Sequence, residues 1–243
     1  MREFNRLEDI DAVVLCGGLG ERLRAIVPHR PKPLAEIGGR PFLDILLDHV
    51  SCFGLRRFIL CTGYKGELIQ EYYARQAKTG REVSISWEEQ LLGTAGALRH
   101  AVGLIRSPTI LVLNGDSLCR TDLRVFWSFH VGHGGLASMI LAPQEQGSDY
   151  GVVTLNPQGR IGAFMEKSGA TQGQFINAGI YLFSALVLKT ITASRASSLE
   201  HDLLPALVRE GQVLGWPVKE RVIDIGTPQR YVEAQRQLHS GPD

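Results

Sequence analysis

Long apolar runs and paired cysteines are both missing from this chain. None of its hydrophobic stretches approaches the roughly 20 apolar residues that a membrane-spanning helix needs. The polar N-terminus, MREFNRLEDI, does not resemble a signal peptide. Only four of the 243 residues are cysteines, and no two of them have CxxC spacing, so reduced thiols are expected. These absences predict a cytoplasmic protein without a membrane partner.

Net charge is also almost absent. The chain has 26 Lys and Arg residues against 25 Asp and Glu residues, which gives a formal charge of +1. Proteins that bind nucleic acids or membrane surfaces usually carry a broad basic face. We therefore expect no nucleic-acid partner, and any cationic site must be local.

Several catalytic signatures are missing as well. There is no GxSxG nucleophile elbow and no Gly-Lys-Ser/Thr end of a Walker loop. The turn Gly18-x-Gly20 is followed by Leu23, where a dinucleotide-binding fingerprint needs a small residue, so a dehydrogenase is excluded. His130 and His133 could share one helix face, but without a third ligand nearby we expect a solvent-facing pair rather than a metal site.

What the chain does contain is a glycine-rich stretch close to its N-terminus. A short apolar strand at residues 12–15 runs into the glycines of residues 17–20, then Arg22, and then Lys32 between two prolines. Glycines let backbone N–H groups converge on an anion, and the cations balance its charge. Such a turn can also serve only to join a strand to a helix. The two cations, one of them in a segment held extended by proline, favour a phosphate site.

Strand and helix patterns alternate along the first half of the chain. Strands are predicted at 12–15, 57–62, 83–87 and 109–113, with helices at 42–53, 66–77 and 94–105. Later strands are predicted at 136–141, 151–155, 160–167, 175–183, 212–216 and 221–225, with helices at 122–130, 185–191, 199–210 and 228–238. The alternation predicts a parallel sheet with helices on both faces. No linker or repeat divides the chain, so we expect a single domain, 1–243.

The glycine-rich stretch, LCGGLGERLR followed by PKPL, resembles the nucleotide-binding signature of the sugar-1-phosphate nucleotidyltransferases. The segments EEQLLGTAGAL, LNGD, DYGVV, EK, NAG, SLEHD and DIGTP follow in the order of that family, so the resemblance spans residue 11 to about 235. It implies a Rossmann-like three-layer α/β/α sandwich with a mostly parallel mixed sheet, of the nucleotide-diphospho-sugar transferase type. The nucleotide-binding half would cover about 1–135, and the sugar-phosphate half about 136–243.

Within the family, the phrases GRPFLDILLDH and SLEHDLLP are most similar to the heptose branch, beside the mannose branch. The resemblance implies that GTP and D-glycero-α-D-manno-heptose 1-phosphate are joined with release of pyrophosphate, in a capsule or lipopolysaccharide pathway. Mannose 1-phosphate with GTP remains an alternative, as does a hexose 1-phosphate with UTP or dTTP. A non-catalytic protein that binds nucleotide sugars is an alternative of another class. A homodimer is left open.

The resemblance also implies a role for each matching residue. The catalytic cations would be Arg22, Lys32 and Lys167. The nucleotide would contact Leu15, Gly17, Gly18, Gly20, Arg22, Gln90, Gly93, Thr94 and Ala95. The sugar phosphate would contact Asn114, Gly151, Glu166, Lys167, Asn177, Glu200 and Asp224. Asp116 and Asp224 would hold Mg²⁺, an ion that takes few carboxylates together with phosphate oxygens and water.

Two positions depart from the family pattern. Glu21 stands where the family usually has threonine, which puts a carboxylate beside the expected triphosphate. Because like charges in a partly dry site repel, we expect Glu21 to point outward or to approach the metal. The pair Leu91-Leu92 stands where a proline is common.

Overall fold

The computed structural model describes residues 6–75, 80–144, 152–165, 175–192 and 196–239. Its strands are β1 (Asp11–Leu15), β2 (Glu36–Ile37), β3 (Arg40–Pro41), β4 (Arg57–Thr62), β5 (Glu82–Trp87), β6 (Thr109–Asn114), β7 (Ser117–Cys119), β8 (Ala137–Pro143), β9 (Val152–Leu155), β10 (Ile161–Met165), β11 (Phe175–Ser184), β12 (Val213–Pro217) and β13 (Val222–Asp224). Its α-helices are α1 (Glu21–Arg24), α2 (Phe42–Ser51), α3 (Gly66–Arg75), α4 (Gly93–His100), α5 (Leu123–His133), α6 (Leu204–Arg209) and α7 (Pro228–His239). In these ranges no helix is both long enough and apolar enough to span a bilayer.

The central sheet is mixed. Strands β5, β4, β1 and β6 lie side by side in that order and are parallel. β11 runs antiparallel to β6, β8 and β9, while β12 is parallel to β8 and β10 is antiparallel to β9. It follows that β10 and β11 point one way and the remaining strands of this sheet point the other way. The expected mostly parallel mixed sheet is confirmed.

Helices cover both faces of the sheet, which gives three layers. In β1, Ala12 and Val14 are buried in one hydrophobic cluster with Phe42 of α2, whereas Val13 is buried in a second cluster with Leu98 of α4. Because side chains alternate faces along a strand, β1 is buried on both faces. This double burial explains why the strand is a continuous apolar run in the sequence.

Three predicted helices differ in type from what the sequence indicated. Residues 94–105 divide into α4 and a 3-10 helix, Ala101–Leu104, and residues 185–191 contain only the 3-10 helix Ala185–Thr190. Residues 199–210 begin with a π-helical turn, Leu199–Leu203, before α6. In that turn the Ser198 carbonyl accepts from the N–H groups of both Asp202 and Leu203, and this shared acceptor widens the turn.

The expectation of a solvent-facing histidine pair on α5 is wrong for one member. His133 is exposed, but His130 is buried, with its Nδ1 2.8 Å from the Ser138 hydroxyl of β8. Burial lowers the pKa of His130 to about 4. The face of α5 that packs on the sheet therefore includes a neutral histidine, a place that periodicity alone assigns to an apolar residue.

His130 should make the fold less stable in mild acid. In the unfolded chain its pKa is about 6.5, so between about pH 6.5 and pH 4 the unfolded state binds a proton that the folded state excludes. The free energy of unfolding therefore decreases as the pH is lowered across this window, by about 2 kcal/mol at pH ~5. Urea unfolding at pH ~7.5 and pH ~5 measures this loss. A His130→Gln variant with the same pH dependence as the unmodified protein would contradict the assignment.

Candidate active site

The order in which the chain builds the sheet reverses at β1. From β1 the chain adds β4 and β5 on one side, and it then returns to add β6 on the other side. Such a switch point leaves a crevice outside the carboxyl ends of the strands. A cleft of about 700 Å³ is formed by residues that include these strand ends. It is lined by Leu15, Cys16, Gly17, Gly18, Leu19, Gly20, Glu21, Arg22, Lys32, Pro33, Cys61, Glu88, Leu91, Gly93, Thr94, Ala97, Asn114, Asp116 and Gly226.

The ends of β1 and β6 are in close contact at this cleft. The Gly115 N–H donates to the Leu15 carbonyl at 2.9 Å. A Cβ on Gly115 would lie 2.8 Å from that carbonyl oxygen and 2.9 Å from Cys16 Sγ, so only glycine permits this approach. The contact holds Asp116, the next residue, beside the glycine-rich loop.

The glycine-rich loop contributes most of the predicted nucleotide-binding residues to the cleft. Leu15, Gly17, Gly18, Gly20 and Arg22 all line it. After Gly20, which has a φ of 60°, the chain enters the short helix α1, whose Leu23 side chain is buried in the core. This burial explains the bulky residue that excluded a dinucleotide fingerprint. Glu21, the departure from the family pattern, is exposed and also lines the cleft.

Asp116 and Asp224 are brought together by a strand pair. β13 pairs with β7 so that Asp224 lies opposite Ser117, and the Ile225 N–H donates to the Asp116 carbonyl at 3.1 Å. The Asp224 carboxylate accepts from the Gly226 N–H at 2.7 Å. Burial, with repulsion from the Asp116 carboxylate added to it, raises the pKa of Asp224 to about 6.

Three cations surround these carboxylates. The Lys32 ammonium forms an ion pair with Asp116, and the Arg230 Nε lies 3.5 Å from an Asp224 oxygen. Arg22 is close enough to lower the pKa of both Asp224 and Arg230, although burial affects each of these two groups more. The predicted catalytic pair Arg22 and Lys32 therefore lines the same cleft as Asp116, whereas Asp224 is not one of its lining residues and lies beside Asp116. Lys167, the third predicted cation, lies outside the described residues.

The carboxylate pair suits a divalent cation. A bound cation would relieve the repulsion between Asp116 and Asp224. Among the residues that the structure describes, no three or more His, Cys, Asp and Glu side chains are grouped so that they could hold a metal. An ion at the two carboxylates would take its other ligands from phosphate oxygens and water, which is how Mg²⁺ commonly binds.

The start of α4 forms another wall of the cleft. Gly93 and Thr94 line it, whereas the backbone N–H of Ala95 donates to the Ser197 carbonyl at 2.9 Å and its side chain is buried. Gln90 is exposed and does not line the cleft. The predicted nucleotide-binding residues of this segment are thus divided: Gly93 and Thr94 line the cleft, whereas Gln90 and Ala95 do not.

On the sugar-phosphate side, Asn114 lines the cleft, while Asn177 and Glu200 have partners within the protein. The Asn177 amide donates to the Tyr181 hydroxyl at 2.6 Å, and Glu200 accepts from the hydroxyl of Thr94 at 3.2 Å. Gly151 and Glu166 lie outside the described residues, so their predicted contacts stay predictions.

Glu88 is a cleft residue that the sequence reasoning missed. It follows β5, is 8% exposed, and lies so close to the loop that a Cβ on Gly17 would fall 2.6 Å from its Oε1. Its other oxygen accepts from the Leu92 N–H at 3.2 Å, and burial raises the pKa of the carboxyl group. The sequence does contain a signal for Glu88, because this residue directly follows a predicted parallel strand. The family resemblance implied Gln90 of the same segment instead.

Comparison with known proteins shows which proteins this chain is similar to. The model of the nucleotidyl transferase family matches residues 11–241. A D-glycero-alpha-D-manno-heptose 1-phosphate guanylyltransferase from Aneurinibacillus thermoaerophilus is 33% identical over 229 residues, which is 94% of this chain and 98% of the relative. A mannose-1-phosphate guanylyltransferase from Mycobacterium tuberculosis is 32% identical over 234 residues, which is 96% of this chain but only 65% of the relative.

Solved structures agree with the observed fold. The crystal structure of HddC from Yersinia pseudotuberculosis complexed with GMP-PN superposes with a TM-score of 0.83 at 29% identity, covering 94% of this chain and 99% of that one. A putative glucose-1-phosphate thymidylyltransferase from Bacillus anthracis has the same TM-score of 0.83 at 18% identity, covering 96% of each chain, and this likeness concerns the fold alone. The resemblance noted in the sequence motifs is confirmed. The chain belongs to the nucleotidyl transferase family.

Proposed function

We propose that this protein is a guanylyltransferase that joins GTP and D-glycero-α-D-manno-heptose 1-phosphate and releases pyrophosphate. One observation supports the reaction above all others. Asp116, Lys32 and Arg22 come from separate parts of the chain and line one cleft beside a glycine-rich loop, and the pairing of β13 with β7 brings Asp224 next to Asp116. A protein that only binds nucleotide sugars has no need of two adjacent carboxylates that repel each other.

The chemistry requires positioning and charge rather than a covalent intermediate. An oxygen of the sugar phosphate attacks the α-phosphorus of GTP, and pyrophosphate leaves from the opposite side. Arg22 would neutralise the departing pyrophosphate. Lys32 would neutralise the α-phosphate as negative charge develops on it. Because Lys32 pairs with Asp116 in this structure, its ammonium is already within the cleft that the phosphates would enter.

Asp116 and Asp224 would hold the divalent cation, for which we propose Mg²⁺. When bound, such an ion supplies positive charge that polarises the phosphoryl group and orients it. The Gly226 N–H fixes one oxygen of Asp224, so the carboxylate keeps its orientation before any ligand arrives.

Glu88 would favour GTP over UTP and dTTP. An ionised carboxylate only accepts hydrogen bonds, and guanine has two adjacent donors, N1–H and the N2 amino group, on its Watson–Crick edge. Uracil and thymine have a single N–H between two carbonyl oxygens, which a carboxylate would repel. Glu88 lines the cleft and lies against the loop at Gly17. One of its oxygens accepts from the Leu92 N–H, and because each carboxylate oxygen has two lone pairs, the group can still accept from a base.

A Glu88→Gln substitution should lower kcat/KM for GTP by about 10²-fold, because it replaces one charged acceptor by an N–H group that opposes the guanine donors. Activity with UTP or dTTP should fall less or rise, since an amide offers both a donor and an acceptor. Pyrophosphate release measured with GTP, ATP, UTP and dTTP tests this. The matched control is Glu89→Gln, because Glu89 is exposed and does not line the cleft. Equal losses in both variants would remove Glu88 from base recognition.

The substrate pair is tested on the unmodified protein. Pyrophosphate release is measured over a grid of the four nucleotides against heptose, mannose and glucose 1-phosphates with Mg²⁺ present. We expect the highest kcat/KM for GTP with the heptose, since a heptose 1-phosphate guanylyltransferase is 33% identical over 94% of this chain and the phrases GRPFLDILLDH and SLEHDLLP resemble the heptose branch. Release with UTP or dTTP but not with GTP would overturn the assignment and keep the reaction class. These charged substrates are metabolites of the cytoplasm, which supports a cytoplasmic location.

A further inference from the structure

Two residues outside the cleft hold the glycine-rich loop at two points. The Arg24 guanidinium lies over the Tyr64 ring, with its central carbon 4.6 Å from the ring centroid. An Nη2 N–H group of Arg24 donates to the Leu19 carbonyl at 3.1 Å, and the Tyr64 backbone N–H donates to the Gly17 carbonyl at 3.4 Å. We call Arg24 and Tyr64 the Arg–Tyr bracket. The stacking of its two members joins the two points at which the loop is held.

The bracket leaves backbone donors of the loop turned away from it. The loop residues 17–20 line the cleft, whereas neither Arg24 nor Tyr64 does. Across a trans peptide, the C=O of one residue and the N–H of the next point in opposite directions. Because the Gly17 and Leu19 carbonyls point to the bracket, the N–H groups of the residues that follow them, 18 and 20, point away from it. An anion in the cleft would meet donors of this kind.

The Tyr64 ring is itself held by contacts that do not involve Arg24. The ammonium of the next residue, Lys65, lies 5.5 Å from the centroid of that ring and donates to the Pro28 carbonyl at 2.7 Å. Lys65 has a φ of 52°, a left-handed conformation that residues other than glycine rarely adopt. Such a conformation persists only where its surroundings hold it. Arg24 therefore stacks on a ring whose own position is fixed.

We propose that Arg24, stacked on Tyr64, is a positioning residue for the triphosphate of the nucleotide, an inference that rests on the proposed function. It holds the Leu19 carbonyl back and so keeps the loop N–H groups aimed at the phosphates before GTP arrives. A loop that must become ordered on binding lowers affinity, and a loop that is ordered in advance avoids this loss. Arg22, two residues earlier, has a different part, because it lines the cleft and would touch the phosphates itself.

An Arg24→Met substitution should raise the dissociation constant for a non-hydrolysable GTP analogue, measured by calorimetry, by about 10-fold. In steady state the KM for GTP should rise by a similar factor while kcat changes less than about 3-fold, because the loop donors bind the phosphates in the ground state and in the transition state alike. The KM for the sugar 1-phosphate should stay unchanged, since that substrate is not expected to contact the loop. A merely structural role would not affect one substrate alone.

Arg124 provides a matched control for Arg24. Its guanidinium also lies over an aromatic ring, that of Phe53, at 5.3 Å, and it also donates to a backbone carbonyl, that of Cys52, at 3.3 Å. Neither Arg124 nor Phe53 lines the cleft. Arg124→Met therefore removes the same two kinds of contact elsewhere on the protein. It should lower the free energy of unfolding by an amount similar to that of Arg24→Met, and leave kcat and both KM values unchanged.

Tyr64→Leu distinguishes positioning from simple attraction between the Arg24 charge and the phosphates. The change removes the ring and leaves the charge in place, so positioning predicts a loss of GTP affinity of about 3-fold or more. The double variant with Arg24→Met should lose less than the product of the two single losses, because both changes break one shared contact. Arg24 is exposed and Tyr64 is half-buried, so each variant is expected to fold.

The inference would be overturned by equal GTP affinities of Arg24→Met and Arg124→Met, by an unchanged affinity of Tyr64→Leu, or by independent losses in the double variant. Equal rises of both KM values in Arg24→Met would also overturn it. If the unmodified protein binds the GTP analogue and Arg24→Met weakens this binding, but no substrate pair is turned over, the inference holds and the proposed reaction falls. If the unmodified protein does not bind the analogue, both fall.

Discussion

An Asp116→Asn substitution is expected to lower kcat by about 10³-fold while the protein stays folded. The change removes one of two carboxylates that would hold the divalent cation, and it also removes the partner of the Lys32 ammonium. The side chain is 38% exposed, and an asparagine of the same size fits there without a cavity. Steady-state pyrophosphate release, with circular dichroism as the measure of folding, tests the expectation.

Asp122→Asn is the matched control for this change. Asp122 is exposed and caps α5, where its carboxylate accepts from the Arg124 N–H at 2.8 Å. Asparagine is an equally good N-cap residue, so both activity and stability should stay close to those of the unmodified protein. If Asp116→Asn kept more than about a tenth of the activity, the carboxylate pair would not be the metal site.

A Lys32→Met substitution is expected to lower kcat by about 10²-fold or more, because it removes the charge that would neutralise the α-phosphate. Methionine keeps the apolar part of a side chain that is only 14% exposed. The variant should also respond more strongly to metal. Without the ammonium at Asp116, the added Mg²⁺ meets one competing cation fewer, so its stabilising effect through binding to the folded state should increase.

The second readout distinguishes a role in the cleft from a general loss of charge. Thermal unfolding with and without Mg²⁺ should show a larger rise of Tm for Lys32→Met than for the unmodified protein. Lys189→Met, at an exposed position of the 3-10 helix Ala185–Thr190, should leave both kcat and the metal response unchanged. Unchanged kcat in Lys32→Met would contradict the proposed role of Lys32.

The sheet was predictable from the sequence where its strands are buried on both faces. β1, β4 and β6 are continuous apolar runs, and their observed bounds differ from the predicted ones by at most one residue. Helix α2 likewise follows from apolar residues at helical spacing, beginning at Phe42 as predicted. These elements are specified by local patterns, because burial of a whole face leaves a periodic trace in the sequence.

The segments whose type was wrong are those whose backbone bonds depend on particular partners. The π-helical turn depends on the Ser198 carbonyl and hydroxyl, which together accept from four N–H groups between Glu200 and Leu203. His130 is buried because Ser138 on a neighbouring strand supplies a hydrogen-bond partner. Apolar periodicity carries no information about such partners, and propensity is easily overridden by them.

The candidate site also has one part that the sequence could predict and one part that it could not. The glycine-rich loop, Arg22 and Lys32 could be recognised in one stretch of sequence, and family resemblance supplied Asp116 and Asp224. The meeting of these two carboxylates depends on the pairing of β7 with β13, strands that are each three residues long and about a hundred residues apart. Short strands have too few residues to show a period, so this pairing could not be found from the pattern.

Alternating local patterns were therefore enough for the α/β architecture and for the phosphate-binding character of the first loop, because both depend on neighbours in sequence. The tertiary structure alone decided that Glu88 lies against Gly17, that Lys32 pairs with Asp116, and that Asp224 lies beside Asp116. Each of these contacts links residues from different strands or helices. Their geometry is determined by how the layers pack, and a single sequence contains no local trace of that packing.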